Sequence, residues 1–199
     1  MNQKLKIRGV QLDLARQKED HNTVFSFIDL AAKHQFNMLV LYLEGRIKTK
    51  SFSCLSDSEA YTMEEIRKIV EYATAKNLET VPVVSVLGHG EWFLDQAEFS
   101  SLAEIDAEGS GRLSERRMMF CPSNPGTFEF LSRYVQEVAD LFPGRYFHFG
   151  FDEFWELGWC SRCQVAGKNK KRGQLFMDYL KRFYAFCRDE LQKEMMIWD

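Results

Sequence analysis

Two adjacent carboxylates, Asp152 and Glu153, follow a short apolar run that begins at Tyr146. The run comes after the turn signal Pro143-Gly144 and is too short and too aromatic for a helix, which predicts a buried strand. Side chains alternate between faces within a strand, but beyond its carboxyl end both carboxylates can rim one pocket. Paired carboxylates in a poorly solvated aromatic setting suit acid-catalysed cleavage of a glycosidic bond, because one can hold a proton near neutral pH. An equally simple interpretation is that the pair caps the start of a helix.

Apolar runs elsewhere predict the strands that would position this pair. They are Ile7 to Leu14, Met38 to Leu43, Thr80 to Leu87 and Met195 to Asp199. Strands buried on both faces that alternate with amphipathic helices indicate a parallel sheet with right-handed crossovers. The pattern permits either a doubly wound sheet or a barrel. No Gly-x-Gly-x-x-Gly turn follows the first strand, which disfavours a nucleotide-binding fold.

Local signals also predict the helices between the strands. Thr62-Met63-Glu64-Glu65 reads as a capping box, and Asn124-Pro125 as an N-cap followed by proline at the first helical position. The last helix is expected from about Gly173 to Lys193. Its inward-facing stripe is predicted to comprise Phe176, Leu180, Phe183 and Cys187.

Polar side chains stand where the predicted strands end. Asp13, Glu44 and His89 each follow an apolar run, as Asp152 and Glu153 do. A (β/α)8 barrel carries its catalytic groups at the carboxyl ends of its strands. This arrangement therefore favours a barrel over an open sheet.

The sequence His148-Phe149-Gly150-Phe151-Asp152-Glu153 resembles the His-x-Gly-Gly-Asp-Glu signature of glycoside hydrolase family 20, the β-N-acetylhexosaminidases, with Phe151 in place of the second glycine. Further stretches resemble the family in the family's order: Arg8 to Asp13, Tyr42 to Glu44, Gly88-His89 and Cys121 to Leu131. Together they cover nearly the whole chain. The resemblance implies an α/β protein with a (β/α)8 TIM barrel. Residues 1–199 are then expected to be a partial catalytic barrel holding about its first five strands.

The resemblance implies retaining hydrolysis of a terminal β-linked N-acetylhexosamine, in which the sugar's own acetamido oxygen attacks the anomeric carbon and forms an oxazolinium-type intermediate. Glu153 is expected to be the general acid and base, and Asp152 to orient the acetamido group. Arg8 matches the family arginine that holds the sugar's hydroxyls. His89 matches a histidine near the catalytic acid, and Glu44 stands where many members carry aspartate.

Parts of the family's site are expected outside this sequence. The tryptophan wall around the acetamido methyl group and later hydroxyl-binding groups come from the second half of the barrel. Residues 1–199 alone are therefore expected to be inactive, and the open sheet edge to favour association. Two alternatives stay open: a non-catalytic carbohydrate-binding or interaction module derived from the same barrel, and a different sugar hydrolase built on it. The presence of both Asp152 and Glu153 favours an enzyme, since a binding module does not need the acid.

The resemblance implies a partner that is a glycan or glycoside containing N-acetylhexosamine. The 45% hydrophobic content and the net charge of −3 indicate a soluble globular chain. Charge is spread without a basic stripe and no run approaches a membrane span, so neither nucleic acid nor membrane is an expected partner. Met1 to Lys6 lacks the apolar core of a signal peptide, so the chain as written is expected to be cytoplasmic. Cys160 and Cys163 supply half of a tetrahedral zinc site and no second pair lies nearby in the sequence, so no zinc is expected. The mechanism that the resemblance implies needs no metal or organic cofactor.

Overall fold

A computed structural model describes residues 5–105, 116–167 and 171–199 of the chain. The strands, in chain order, are β1 (Gly9–Asp13), β2 (Met38–Tyr42), β3 (Ile47–Lys48), β4 (Tyr61–Thr62), β5 (Glu79–Val83), β6 (Tyr146–His148) and β7 (Glu194–Met196). The helices are α1 (His21–Lys33), α2 (Met63–Ala75), α3 (Glu91–Leu94), α4 (Pro125–Ala139), α5 (Ser161–Ala166) and α6 (Arg172–Asp189), with a 3-10 turn at Ser100–Leu102. No helix within these ranges is long and apolar enough to cross a membrane.

The main sheet has the order β1-β2-β5-β6-β7, and each neighbouring pair is parallel. The strands of this sheet therefore lie side by side in the same order in which they follow one another along the chain. Helices lie in the connections between them. A doubly wound sheet would instead reverse its strand order at a switch point. The uninterrupted order is that of a barrel wall, so the doubly wound alternative is wrong. All of the predicted strands are confirmed, although β5, β6 and β7 end earlier than the apolar runs suggest.

The two faces of the sheet pack differently. On β2, Leu39 and Leu41 point into the main hydrophobic core beneath the helices. The intervening Val40 and Tyr42 belong to a small cluster on the opposite face, which also contains Val83. This alternation follows the two-residue repeat of a strand. The second face is the one that a closed barrel would turn toward its axis.

Hydrogen bonds confirm the predicted helix starts. Thr62 Oγ1 accepts from the backbone N–H of Glu65 at 3.1 Å, and Glu65 Oε2 accepts from the N–H of Thr62 at 2.7 Å, completing the capping box. Asn124 Oδ1 accepts from the N–H of Gly126 at 3.1 Å at the start of α4. Each cap satisfies backbone donors that the first turn of a helix leaves without a partner.

The buried stripe of α6 differs from the predicted one. Its buried residues are Leu175, Tyr179, Phe183 and Cys187. The predicted Phe176 and Leu180 are only partly buried, so the prediction is wrong for the first half of the helix. The hydroxyl of Tyr179 donates to the carbonyl of Val86 at 2.9 Å, and this buried bond sets the rotation of the helix against the sheet.

Candidate active site

Four of the predicted site residues meet at the carboxyl edge of the sheet. Glu44 follows β2, His89 follows β5, and Asp152 and Glu153 follow β6. The imidazole of His89 lies between the three carboxylates. Its Nε2 is 3.4 Å from Asp152 Oδ2 and 3.3 Å from Glu153 Oε2. Its Nδ1 is 3.8 Å from Glu44 Oε1.

Three of these residues have a left-handed backbone conformation, which directs their side chains toward the same region. The φ angles are 48° at Glu44, 53° at His89 and 47° at Glu153. This conformation is uncommon for residues other than glycine and costs about 1–3 kcal/mol at each position, and such residues concentrate at functional sites. Asp152 and Glu153 therefore escape the alternation of a regular strand. The helix-cap alternative for this pair is wrong, because the next described helix begins at Ser161.

Phe151 has a left-handed backbone conformation that is strained for phenylalanine but not for glycine. Its φ is 71°, and Gly150 before it has a φ of 69°. The Phe151 side chain is 2% exposed and packs edge-to-face against Phe176 and Tyr179 of α6. This aromatic packing offsets the backbone strain, which explains how the chain tolerates a departure from the Gly-Gly pattern.

Gly88 allows the segment before His89 to pass against the carboxylate pair. A Cβ added at Gly88 would collide with the carbonyl oxygen of Asp152 and lie 3.1 Å from that of Glu153. We expect Gly88→Ala to lower the free energy of unfolding by about 1–3 kcal/mol, the usual cost of overpacking. Urea unfolding followed by circular dichroism measures this. The control is Gly173→Ala on α6, where nothing lies within 4 Å and no loss is expected; equal losses in both variants would contradict the argument.

Glu44 is a buried carboxyl group held by Arg16. Its side chain is 5% exposed, and Arg16 Nη1 donates to Oε1 at 2.8 Å. Burial raises the pKa of Glu44 to about 7, although the charges of Arg16 and His89 oppose the shift. Sequence reasoning missed Arg16 as a site residue. The sequence signal that could have identified Arg16 was its position three residues after Asp13. In the structure, Asp13 Oδ1 accepts hydrogen bonds from the backbone N–H groups of Ala15 and Arg16.

His89 and Asp152 stabilise each other's charged forms. The hydrogen bond to Asp152 raises the pKa of His89 above its ordinary value, although burial opposes this. Burial works to raise the pKa of Asp152, yet the hydrogen bond and charge of His89 hold it below its usual value. Asp152 Oδ1 is buried and has no hydrogen-bond partner among the described residues. That oxygen is therefore available to accept a hydrogen bond from a ligand.

His148 supports the turn that leads to the carboxylates. Its Nδ1 accepts from the backbone N–H of Gly150 at 3.1 Å, and its ring centroid lies 4.2 Å from that of Trp198. Burial lowers the pKa of His148 to about 4. Between that value and the ordinary pKa of about 6.5, the unfolded chain binds a proton that the folded chain does not. The contribution of His148 to stability therefore falls as the pH falls through this window.

We expect wild type to lose about 2 kcal/mol more stability than His148→Asn between pH 7 and pH 5, because asparagine keeps an acceptor for Gly150 and does not titrate. Urea unfolding of both proteins at each pH measures the difference. Glu44 titrates in the same window with the opposite sign, and the comparison cancels its effect because both proteins contain it. Parallel pH dependences would contradict the role given to His148.

An aromatic cleft lies beside the carboxylates. It has a volume of about 800 Å³, within the range of small-molecule sites, and both Asp152 and Glu153 line it. Phe154, Trp155 and Trp198 contribute apolar walls, and the Glu153 side chain is 51% exposed. The cleft therefore combines a solvent-reachable carboxyl group with flat apolar surfaces, which suit the faces of a sugar ring.

Arg8 does not join the other predicted site residues. It precedes β1, at the amino end of the sheet, whereas Glu44, His89 and Asp152 lie at the carboxyl end. Its Nε donates to the carbonyl of Gln35 at 2.7 Å and its Nη1 to that of Leu5 at 2.8 Å. The role of Arg8 in holding sugar hydroxyls stays a prediction.

Cys160 and Cys163 have more potential ligands around them than the sequence suggests. Cys121 and Glu104 lie beside them, and the ligand atoms of all four residues are within 4.8 Å of one another. The premise that no further ligands lie near the pair is therefore wrong. The sequence does not reveal this cluster, because the added ligands are remote from the Cys-x-x-Cys pair.

The fold and the site define an α/β protein of the barrel type with a carboxylate centre at the carboxyl ends of its strands. The profile of the glycosyl hydrolase family 20 catalytic domain matches residues 6–199. The chain belongs to glycoside hydrolase family 20. Its parallel sheet is part of that family's (β/α)8 TIM barrel, as the sequence predicts. That the chain holds strands one to five of the barrel stays a prediction.

Known proteins similar to the chain are considerably longer. It is 28% identical over 98% of its length to the β-hexosaminidase of Vibrio furnissii, of which it spans 37%. It is 30% identical over 79% of its length to the β-hexosaminidase of Porphyromonas gingivalis, of which it spans 23%. The X-ray structure of a Flavobacterium johnsoniae chitobiase matches it with a TM-score of 0.80 and 30% identity, over 96% of this chain and 31% of that one.

Proposed function

We propose that a complete barrel built on this chain hydrolyses terminal β-linked N-acetylhexosamine with retention, by substrate-assisted catalysis. The observation that best supports this is the geometry of Asp152 and Glu153, which line one aromatic cleft while a buried oxygen of Asp152 has no hydrogen-bond partner in the described part of the chain. The similarity to proteins named β-hexosaminidase and chitobiase supports a substrate that contains N-acetylhexosamine.

The proposed first step uses both carboxylates. The substrate's acetamido N–H donates to Asp152 Oδ1, and its carbonyl oxygen attacks the anomeric carbon. The glycosidic bond breaks, and Glu153 gives its proton to the leaving oxygen. The negative charge of Asp152, maintained by His89, stabilises the positive charge that develops on the acetamido nitrogen.

The second step releases the sugar. Glu153, now ionised, takes a proton from a water molecule that attacks the anomeric carbon. The bond between that carbon and the acetamido oxygen breaks, which restores the N-acetyl group and the proton on Glu153. Two displacements at the same carbon leave its configuration unchanged. Glu44 lies beside Nδ1 of His89 and acts by positioning that imidazole.

The test compares residues 1–199 with a protein that contains the complete barrel, using an aryl N-acetyl-β-glucosaminide. The complete barrel should cleave it and should not cleave the corresponding glucoside, which lacks the acetamido group. Residues 1–199 alone should show negligible activity, because an open site holds the acetamido oxygen poorly and weakens each charge interaction. Activity should return when the remaining half is supplied, in the same chain or in trans.

Three results would change these conclusions. Robust hydrolysis by the purified monomeric 199-residue chain would show that the remaining half is dispensable. A folded complete barrel that binds N-acetylglucosamine but cleaves no N-acetylhexosaminide would favour the non-catalytic carbohydrate-binding alternative. Equal cleavage of the glucoside would favour a different sugar hydrolase.

A further inference from the structure

Two segments that are distant in the sequence meet beside α5. Ala103 pairs with Phe120 in an antiparallel bridge, and Glu104 and Cys121 directly follow these two residues. The backbone N–H of Glu104 donates to the carbonyl of Met119 at 2.8 Å, and that of Cys121 donates to the carbonyl of Leu102 at 2.8 Å. Cys160 caps the start of α5, and Cys163 lies in its first turn. These contacts bring three thiols and a carboxylate together.

The distances match a tetrahedral metal site. Cys121 Sγ is 3.5 Å from Cys160 Sγ and 3.7 Å from Cys163 Sγ. Cys163 Sγ is 3.1 Å from Glu104 Oε2. Zinc–sulfur bonds of about 2.3 Å at tetrahedral angles separate neighbouring sulfurs by about 3.8 Å. The three cysteines are not joined by disulfides, so each sulfur is available as a ligand.

Hydrogen bonds hold the ligands in place. Glu104 Oε1 accepts from the backbone N–H groups of Gly158 and Cys160, each at 3.0 Å, which turns Oε2 toward the thiols. The N–H of Cys163 donates to Cys160 Sγ at 3.2 Å. Bonds of this kind orient the ligands of metal sites and are needed for full affinity.

The cluster is buried, so negative charge on its ligands would be unfavourable without a cation beside it. Glu104 is 2% exposed, and Cys121 and Cys163 are 0% exposed. Among the described residues, no lysine or arginine pairs with Glu104, whose side-chain partners are two backbone N–H groups and a thiol. A buried carboxylate is costly unless it is paired or coordinates a metal. A divalent cation would compensate the carboxylate and the thiolates at once.

We propose that Glu104, Cys121, Cys160 and Cys163 bind one zinc ion. Three soft thiolates favour zinc over magnesium or calcium, and four protein ligands leave no open position, which makes the site structural. Each thiol releases its proton to solvent as the sulfur binds the metal. The ion would link two segments: the one after Asp152 and Glu153, which carries Cys160 and Cys163, and the one after His89, which carries Glu104 and Cys121. It would thereby stabilise the positions of the residues at the carboxyl edge.

The experiment measures zinc in the 199-residue chain, purified with reductant and without a metal-affinity tag. After equilibration with zinc and gel filtration, elemental analysis should find about one zinc per chain. Cobalt in place of zinc should give thiolate-to-metal charge-transfer absorption. Cys163→Ser should lose the bound zinc, and Glu104→Gln should bind it at least about 10-fold more weakly. Two cysteines outside the cluster provide the controls: Cys187→Ser, which is buried like Cys163, and the exposed Cys54→Ser should both keep the metal.

A second measurement, cysteine alkylation, uses only the wild-type protein and so does not depend on whether a variant folds. In the zinc-loaded wild type, the partly exposed Cys160 should resist alkylation while the exposed Cys54 reacts, and a chelator should make Cys160 reactive. The proposal is overturned if the folded wild type takes up no zinc, or if zinc remains in Cys163→Ser. It is also overturned if the chelator leaves the alkylation pattern unchanged, or if two of the three thiols are joined in a disulfide with no metal bound.

Discussion

Replacing Glu153 by glutamine is expected to slow hydrolysis of N-acetylhexosaminides with poor leaving groups by about 10²–10⁴-fold, the usual contribution of a general acid. Glutamine keeps the size and polarity of the side chain but has no proton to give to the leaving oxygen. With an activated aryl leaving group, bond cleavage needs little protonation, so the loss should be much smaller. The assay compares kcat/KM for both substrates in a protein that contains the complete barrel.

The control for this prediction is Glu129→Gln on the outer surface of α4. The Glu129 side chain is 73% exposed and contacts Arg133 of the same helix at 3.8 Å. It makes no contribution to the cleft, so its removal should leave both rates unchanged. An equal loss on both substrates in Glu153→Gln would assign Glu153 a role other than proton donation.

The parts of the fold that depend on local chemistry could be predicted from the sequence. The capping box at Thr62 and the N-cap at Asn124 are short-range patterns, and both exist as expected. Asp152 and Glu153 could be paired because they are adjacent in the chain and follow a recognisable strand. The polar residues at strand ends could be grouped because parallel strands bring their carboxyl ends to one edge.

The remaining features depend on contacts between distant residues. The rotation of α6 is set by the bond from Tyr179 to Val86, which no periodicity of the helix itself reveals. The bridge between Ala103 and Phe120 joins the segments that carry Glu104 and Cys121. These segments lie against a Cys-x-x-Cys pair about 40 residues further along the chain than Cys121. Arg16 was missed because its contact with Glu44 joins two different strand ends.

The residues with positive φ show why the geometry of the site could not be predicted from the sequence. Glu44, His89 and Glu153 are residue types that rarely adopt a positive φ, so propensity argues against the conformation they have. The surrounding packing imposes it, as the close approach of Gly88 to the Asp152 carbonyl illustrates. Sequence signals grouped Glu44, His89, Asp152 and Glu153, and tertiary contacts determined how their side chains point.

Replacing Asp152 by asparagine is expected to slow turnover of N-acetyl substrates by about 10²–10³-fold, the usual cost of removing one group that stabilises developing charge. The variant keeps the shape of the side chain but loses the charge that would orient the acetamido group. A thiazoline analogue of the intermediate should inhibit wild type competitively and bind the variant more weakly. Both measurements use the complete barrel.

The same variant has a second readout that does not depend on turnover. Asp152 is the main cause of the raised pKa of His89, so in Asp152→Asn that pKa should fall. An NMR titration of the His89 imidazole measures this, and it separates loss of the ion pair from general unfolding, because His148 should keep its lowered pKa. An unchanged His89 titration would contradict the ion pair. A covalent sugar trapped on any carboxylate of the chain would contradict substrate assistance, since that mechanism forms its intermediate within the substrate alone.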